Sequence, residues 1–377
     1  MSDGTRPQIE SVKQLVIKIG SAVIAPGGKL DVGAVARLAG QVAAARKAGV
    51  RVTVVSSGAI ASGFRVLGLD GPPESIVQKQ AAAAVGQPRL MAAWGEALGA
   101  HGLAAAQVLL TADDVRDRAR YLNARHTLGE LLVRGVVPVI NENDTVAFDE
   151  IRFGDNDMLS AHAASLIDAG LLLILSSAQG LYEGGDPGKV VPLVEVDEAD
   201  ARAAARSSVR EEKTATGVGG MASKLTAVQI AAAWGVPTVI AGGNVERVVE
   251  RVLSGETLGT LFVSRGGGAN LRKRWLSAGV KAAGRVVVDD GARRALVERG
   301  ASLLPKGVVR VEGEFERGEP VEVCGADGVV VARGLAAYSG AEARLIAGKR
   351  SDEIAGMLGY SVGEELMHRD DLVVVRG

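Results

Sequence analysis

An open, mainly parallel α/β sheet sandwiched by helices, followed by a small β-rich barrel, is the architecture that this 377-residue sequence predicts, on three observations. The runs QLVIKIG, RVTVVSSG, LAAAQVLL, VVPVINEN, LLLILSS and VPTVIAGG are short and apolar, and each ends in small or polar residues. Alanine-rich segments with helical spacing lie between them, and such βα repetition implies parallel strands covered on both faces. From about residue 281 the texture changes to short strands and turns, as in GRVVVDDG, GVVRVEGEFERGEPVEVC and GVVVARGLAAYS.

The elements follow in order from the residues. DVGAVARLAGQVAAARKAG reads as a helix that Asp31 caps and Gly49 closes. With 47% hydrophobic and only 3% aromatic residues, the interior is built from Ala, Val, Leu and Ile, as buried strands under layered helices require. After GTLFVSR the glycine-rich, then basic, RGGGANLRKRW breaks the pattern. We therefore expect a large domain over 1–265, a linker over 266–280, a second domain over 281–361 and a C-terminal tail over 362–377.

Charge and cysteine usage narrow the class. Lys plus Arg is 43 against 44 Asp plus Glu, so the net charge of -1 gives no global attraction for nucleic acid or an anionic membrane. The single cysteine, Cys324, has no partner for an internal disulfide, and the polar start MSDGTRPQIESVKQ lacks the apolar core of a signal peptide. No apolar run approaches the roughly 20 residues of a membrane helix. A soluble protein of the reducing cytoplasm is expected. His101, His126, His162, His368 and Cys324 show no metal-ligand spacing. The arginine-rich VRDRARYLNAR is most simply a solvated or interface helix face.

Four short stretches carry the chemistry. In VIKIGSA, Lys18 sits inside an apolar run: it either snorkels outward from an edge strand or presents its ammonium at the strand end beside Gly20. In VVSSGAIASG, a strand runs into Ser57 and Gly58 before a helical turn, which is either an ordinary capped turn or a place where backbone N–H groups meet a carboxylate or phosphate. In INENDTVAFDEIRFGDND, amides and carboxylates crowd a strand end; Asp155 or Asn156 could be caps, but NEND exceeds what capping requires. Such a cluster suits the amino group of a small substrate, the orientation of lysines, or Mg2+ held through water. In GVGGMASKLTAVQIAAAWG, glycines precede Lys224 in the first turn of a helix, where helix dipole and ammonium would face one anion. This is not a Walker loop. Two lysines, glycine-rich turns and carboxylates, with no histidine base or cysteine nucleophile, suit phosphoryl transfer to a group already ionised at neutral pH, such as a carboxylate.

At these residues the sequence resembles a known family. VIKIGSA, VSSGAIASG, KQAAAAVGQPRLM, LLTADD, YLNARHTL, VPVINENDTVA, FGDNDMLSA and GGMASKLTA, in this order, are similar to the glutamate 5-kinase family of amino-acid kinases. GRVVVDDGARRAL, SLLPKG, FERGEPV and IAGKRSDEI are similar to the PUA domain that many bacterial members append. The resemblance implies the amino-acid kinase fold and phosphorylation of the γ-carboxylate of L-glutamate by ATP with Mg2+, the first step of proline synthesis, with proline as inhibitor. It implies that Lys18 and Lys224 contact ATP phosphates, that Asp157 organises the lysines, and that Ser57, Gly58, Asp144 and Asn156 bind glutamate. The ATP segment matches Val218, Gly219, Gly220, Met221, Ala222, Ser223 and Lys224, and the nucleotide-side strand end matches Ser176 and Ser177. It further implies a dimer or tetramer and functional coupling to glutamyl-phosphate reductase.

Three positions depart from the family pattern. Ser176-Ser177 stand where Thr-Asp or Ser-Asp is usual, which removes a carboxylate near the nucleotide. Val218 replaces a common threonine, and Ala22 a common serine. Carbamate, acetylglutamate and uridylate kinases share the wider fold, but NEND and GDND argue against them. PUA modules elsewhere bind RNA. Here residues 281–377 carry 14 basic and 16 acidic groups, a balance of -2 rather than a basic surplus.

Overall fold

The structure is a computed structural model, and it describes residues 6, 9, 11–147, 156–197, 220–264 and 282–375. The linker expected over 266–280 lies outside the described residues. The chain divides into two compact units, one of residues 1–116 with 124–269 and the other of 117–123 with 270–377.

In the larger unit, β1 (Gln14–Ile19), the short helix α1 (Ser21–Ile24), α2 (Val32–Lys47) and β2 (Arg51–Ser56) form the first βα repeats. Asp31 caps α2 as the sequence predicts, its carboxylate accepting from the Ala34 N–H at 3.0 Å. Next come α3 (Ala59–Gly63), α4 (Ile76–Gly99), β3 (Ala105–Leu110), α5 (Ala112–Arg116), α6 (Arg118–Val133) and β4 (Val137–Glu142). Then follow α7 (Asn156–Leu166), β5 (Leu171–Ser176), β6 (Leu193–Val196), α8 (Met221–Ala233), β7 (Thr238–Gly242), α9 (Val248–Leu253) and β8 (Thr260–Ser264).

These eight strands make one sheet in the order β3-β4-β2-β1-β5-β7-β8-β6. Every neighbouring pair is parallel except β7 and β8. The order builds outward in both directions from β1 and β5, so the sheet's switch point lies there, where ligands bind beyond the carboxyl ends of strands. Register aligns those ends: Ile19 pairs with Ser56 on one side and with Leu175 on the other, and Val55 pairs with Ile140. Lys18 is therefore in a central strand, and the edge-strand alternative is excluded. Leu15, Ile17, Val52, Val54, Leu171, Leu173 and Trp94 lie in the core beneath.

A glycine pair sets the approach of α3 to α4. A Cβ on Gly63 would lie 1.9 Å from the Ala82 carbonyl oxygen, and one on Gly86 1.8 Å from that of Ala59. Only hydrogen fits at both positions, so the backbones pack directly and the turn ahead of α3 is held against α4. α4 itself begins with a capping box in which Ser75 and Gln78 satisfy each other's backbone N–H groups.

The second unit contains β9 (Gly284–Val288), α10 (Asp290–Arg299), β10 (Val308–Glu312), β11 (Pro320–Cys324), β12 (Val330–Leu335), α11 (Gly340–Ile346), α12 (Ile354–Leu358) and β13 (Leu372–Val374). Its five-stranded sheet runs β10-β9-β11-β12-β13 over a core of its own that includes Val286, Leu296, Val321, Tyr338 and Met367. The stretch read as a C-terminal tail supplies β13, which pairs with β12. Cys324 is buried at the end of β11, and that burial pushes its thiol pKa up.

Candidate active site

The strand ends beside β1 carry two clusters of opposite character. In the first, Lys18 from β1, Asp157 from the first turn of α7 and Lys224 from the first turn of α8 converge. Lys18 Nζ lies 2.5 Å from Asp157 Oδ1, and Lys224 Nζ lies 3.1 Å from Oδ2. Ser223 donates its hydroxyl to the same Oδ2 at 2.9 Å. The three charged residues are 2%, 0% and 5% exposed. Burial alone would push the Asp157 carboxyl up; the two ammonium groups and the Lys18 and Ser223 hydrogen bonds outweigh it and hold the pKa below 3.8.

Two ammonium groups share the one Asp157 carboxylate. Two ammonium groups so close together are suited to an anion such as a phosphoryl group. The cluster sits at the start of the 13-residue α8, whose unpaired N–H groups add positive potential. Gly20 completes the corner: its N–H donates to the Leu175 carbonyl at 3.0 Å, and a Cβ there would meet that oxygen at 3.3 Å and Lys18 Nζ at 3.9 Å.

The second cluster is neutral. Asn156, immediately before Asp157, donates from Nδ2 to Asn141 Oδ1 at 2.8 Å, Ser57 Oγ at 3.1 Å and the Ser56 carbonyl at 3.4 Å. Asn141, at the end of β4, donates in turn to Gln87 of α4 at 2.8 Å, and Gln87 to Gln107 of β3 at 3.2 Å. Trp94 Nε1 donates to Ser56 Oγ at 3.0 Å, which fixes the end of β2 from below. Gly58 follows with φ of +110°, a conformation a side chain would strain, and a Cβ would meet Ile24 Cγ2 at 3.3 Å. Asn156 Oδ1 is buried and has no hydrogen-bond partner among the described residues.

The structure thus brings Lys18, Asp157, Ser223 and Lys224 together, and separately Ser57 and Asn156, with the Asn156–Asp157 peptide joining the halves. Asp144 stands half-buried in the turn after β4. Ser176 ends β5 with its hydroxyl accepting from the Ala178 N–H at 3.3 Å, and Ser177 beside it is exposed. Gly220 precedes α8, which Met221 and Ala222 open; Val218, Gly219 and Asp155 lie outside the described residues. Sequence reasoning assigned no role to Gln87, Asn141, Ser56 or Trp94. Asn141 carried a signal, as the first of the polar residues in NEND; Gln87 stood inside KQAAAAVGQPRLM, a string that carried the family resemblance but assigned it no role.

Comparison with known proteins identifies the family. The amino acid kinase family model matches residues 13–242, and the PUA domain model matches residues 284–358. The chain is 49% identical over 382 residues to a protein of Trichlorobacter lovleyi named glutamate 5-kinase, covering 98% of this chain and 99% of the relative. Proteins of the same name from Geobacter sulfurreducens and Thermus thermophilus are 48% and 50% identical, over 97% of this chain and 99% and 98% of theirs. With a lysine–aspartate–lysine cluster at the sheet's switch point and full-length relatives at half identity, the chain belongs to the glutamate 5-kinase family of amino acid kinases that carry a C-terminal PUA domain.

Proposed function

We propose that the protein transfers the γ-phosphoryl group of ATP to the γ-carboxylate of L-glutamate, giving L-glutamyl 5-phosphate for proline synthesis. The observation that carries this reading is the buried Asp157 carboxylate held between two ammonium groups, with an amide cluster one residue away. The substrate carboxylate is ionised at neutral pH, so its oxygen attacks the γ-phosphorus with no base to remove a proton. The new O–P bond forms as the bond to the β,γ-bridging oxygen breaks, and ADP leaves with that electron pair. Lys18 and Lys224 neutralise charge on the phosphoryl oxygens during transfer, and Asp157 keeps both in place.

On the other side, Ser57, the Gly58 turn and Asp144 hold glutamate. Asn156 offers Oδ1, a buried acceptor, to its ammonium. Gly220 and the start of α8, with Val218 and Gly219, cradle ATP phosphates, while Ser176 and Ser177 border the nucleotide. Among the described residues no group of three His, Cys, Asp or Glu side chains converges, and Asp157 is committed to two lysines. A Mg2+ ion bound with the nucleotide would supply further charge neutralisation during transfer.

Proline inhibition at a site overlapping that of glutamate, a dimer or tetramer, and coupling to glutamyl-phosphate reductase complete the proposal. So do a boundary near residue 265 and a cytoplasmic location; no helix among the described residues is long and apolar enough to cross a membrane. Trapping the acyl phosphate with hydroxylamine tests the reaction. Glutamate- and ATP-dependent hydroxamate that disappears in Lys224→Ala is expected. A folded protein that forms hydroxamate only from another carboxylate would overturn the substrate assignment.

A further inference from the structure

Gln87 is buried, lies on α4 and touches no reacting group, yet it ends a chain of amides that leads to the substrate side of the site. We infer that Gln87 is a positioning residue that fixes which end of the Asn156 amide meets the substrate's ammonium group, and so helps set the preference for an amino acid over a plain dicarboxylate. This rests on the glutamate reading given above.

A backbone carbonyl only accepts, so the Ser56 carbonyl, 3.4 Å from Asn156 Nδ2, identifies that side of the amide as NH2. Asn141 must then turn its oxygen toward Asn156, at 2.8 Å, and its own NH2 away. That NH2 is 2.8 Å from Gln87, which must present oxygen to it, and the Gln87 NH2 is left to donate to Gln107 at 3.2 Å. Every amide in the chain has one workable orientation. The outcome is a single free acceptor, Asn156 Oδ1, which is what an ammonium group needs.

Removing the acceptor on Gln87 reverses the logic. In Gln87→Met the Asn141 NH2 is a buried donor with no acceptor, a costly state that a flip of Asn141 relieves. The flipped Asn141 would point NH2 at NH2 of Asn156. Asn156 relieves that clash only by flipping too, which turns its oxygen toward the Ser56 carbonyl. Gln87 and that carbonyl hold the same orientation together, and without Gln87 the flipped state, with a donor in place of the acceptor facing the substrate ammonium, becomes populated. A dicarboxylate that lacks the ammonium is indifferent to this change. Gln87→Glu keeps an oxygen toward Asn141 and restores the chain's polarity, since the bond it gives up is to Gln107, which is exposed.

The test is steady-state kinetics of the full-length protein by hydroxamate formation, with L-glutamate as substrate and glutarate as competing inhibitor. For Gln87→Met, KM for L-glutamate should rise roughly tenfold while the glutarate inhibition constant and kcat stay within about threefold, and Gln87→Glu should recover most of the loss. If Gln87→Met does not fold, Gln107→Met removes the next acceptor from an exposed position and should move the same ratio about twofold. Equal loss of affinity for glutamate and glutarate, a fall in kcat alone, or no change in a folded variant would overturn the inference. Wild-type protein with no glutamate-dependent hydroxamate would overturn the glutamate reading itself, and this inference with it.

Discussion

Asn156 and Asp157 are consecutive at the start of α7, and they face sites of opposite chemistry. Asp157 is fully buried among two lysines and a serine, where every interaction is charged or charge-assisted. Asn156 donates to one asparagine side chain, one serine side chain and a backbone carbonyl, with no charge among those partners. On the proposed reading, the difference shows how one helix start could serve two substrates. In that reading, paired lysines stand where a phosphoryl group is stabilised as it moves, and neutral donors and acceptors stand where glutamate is recognised. A second ionised lysine pair on the amide side would attract phosphate to the wrong place.

The strongest way to break that contrast is to neutralise its charged half. Asp157→Asn removes the carboxylate that both buried ammonium groups share, so kcat should fall by about a thousandfold and stability by about 3 kcal/mol; turnover and thermal unfolding report the two losses. Gly63→Ala attacks the support of the amide half instead. Its Cβ would meet the Ala82 carbonyl oxygen at 1.9 Å, so α3 must leave α4, at a cost of about 1–3 kcal/mol. KM for glutamate should rise with little change in KM for ATP, because the Gly58 turn moves with α3.

Acid titration sharpens the same contrast. The folded pKa of Asp157 is depressed, so its contribution to stability is complete above the unfolded value near 3.8 and is lost as pH falls through the lower folded value. Denaturant midpoints measured from pH 6 downward should drop more steeply for wild type than for Asp157→Asn, which has no carboxyl to protonate. The smallest effect belongs to Ser223→Ala, which removes one 2.9 Å bond to Asp157. It should cost about 1 kcal/mol or less in stability and only a few-fold in kcat, as single-variant kinetics would show.

Most of the sheet was legible because parallel strands buried on both faces are written as continuous apolar runs, and six such runs coincide with β1 to β5 and β7. Lys18 was legible as an anomaly, since an ammonium in such a run demands a partner. Which partner was not legible, because Asp157 lies 139 positions away and is brought over by a crossover. The antiparallel β7–β8 pair and the short β6 left no periodic signature. The role of Gln87 was not legible for a related reason: its string KQAAAAVGQPRLM pointed to the family, but its partners Asn141 and Gln107 are 54 and 20 positions distant, and a buried amide in an alanine-rich helix looks like an exposed one until the fold is known.

The division of labour between neighbouring residues is tested most directly by measuring kcat and KM for L-glutamate in Asn156→Ala and Asp157→Asn side by side. The expected result is a KM for glutamate raised at least tenfold in Asn156→Ala with a smaller change in kcat, and a collapsed kcat with a nearly unchanged glutamate KM in Asp157→Asn. Two variants with the same pattern of loss would contradict it, and would mean that the charged and neutral clusters act as one undivided site.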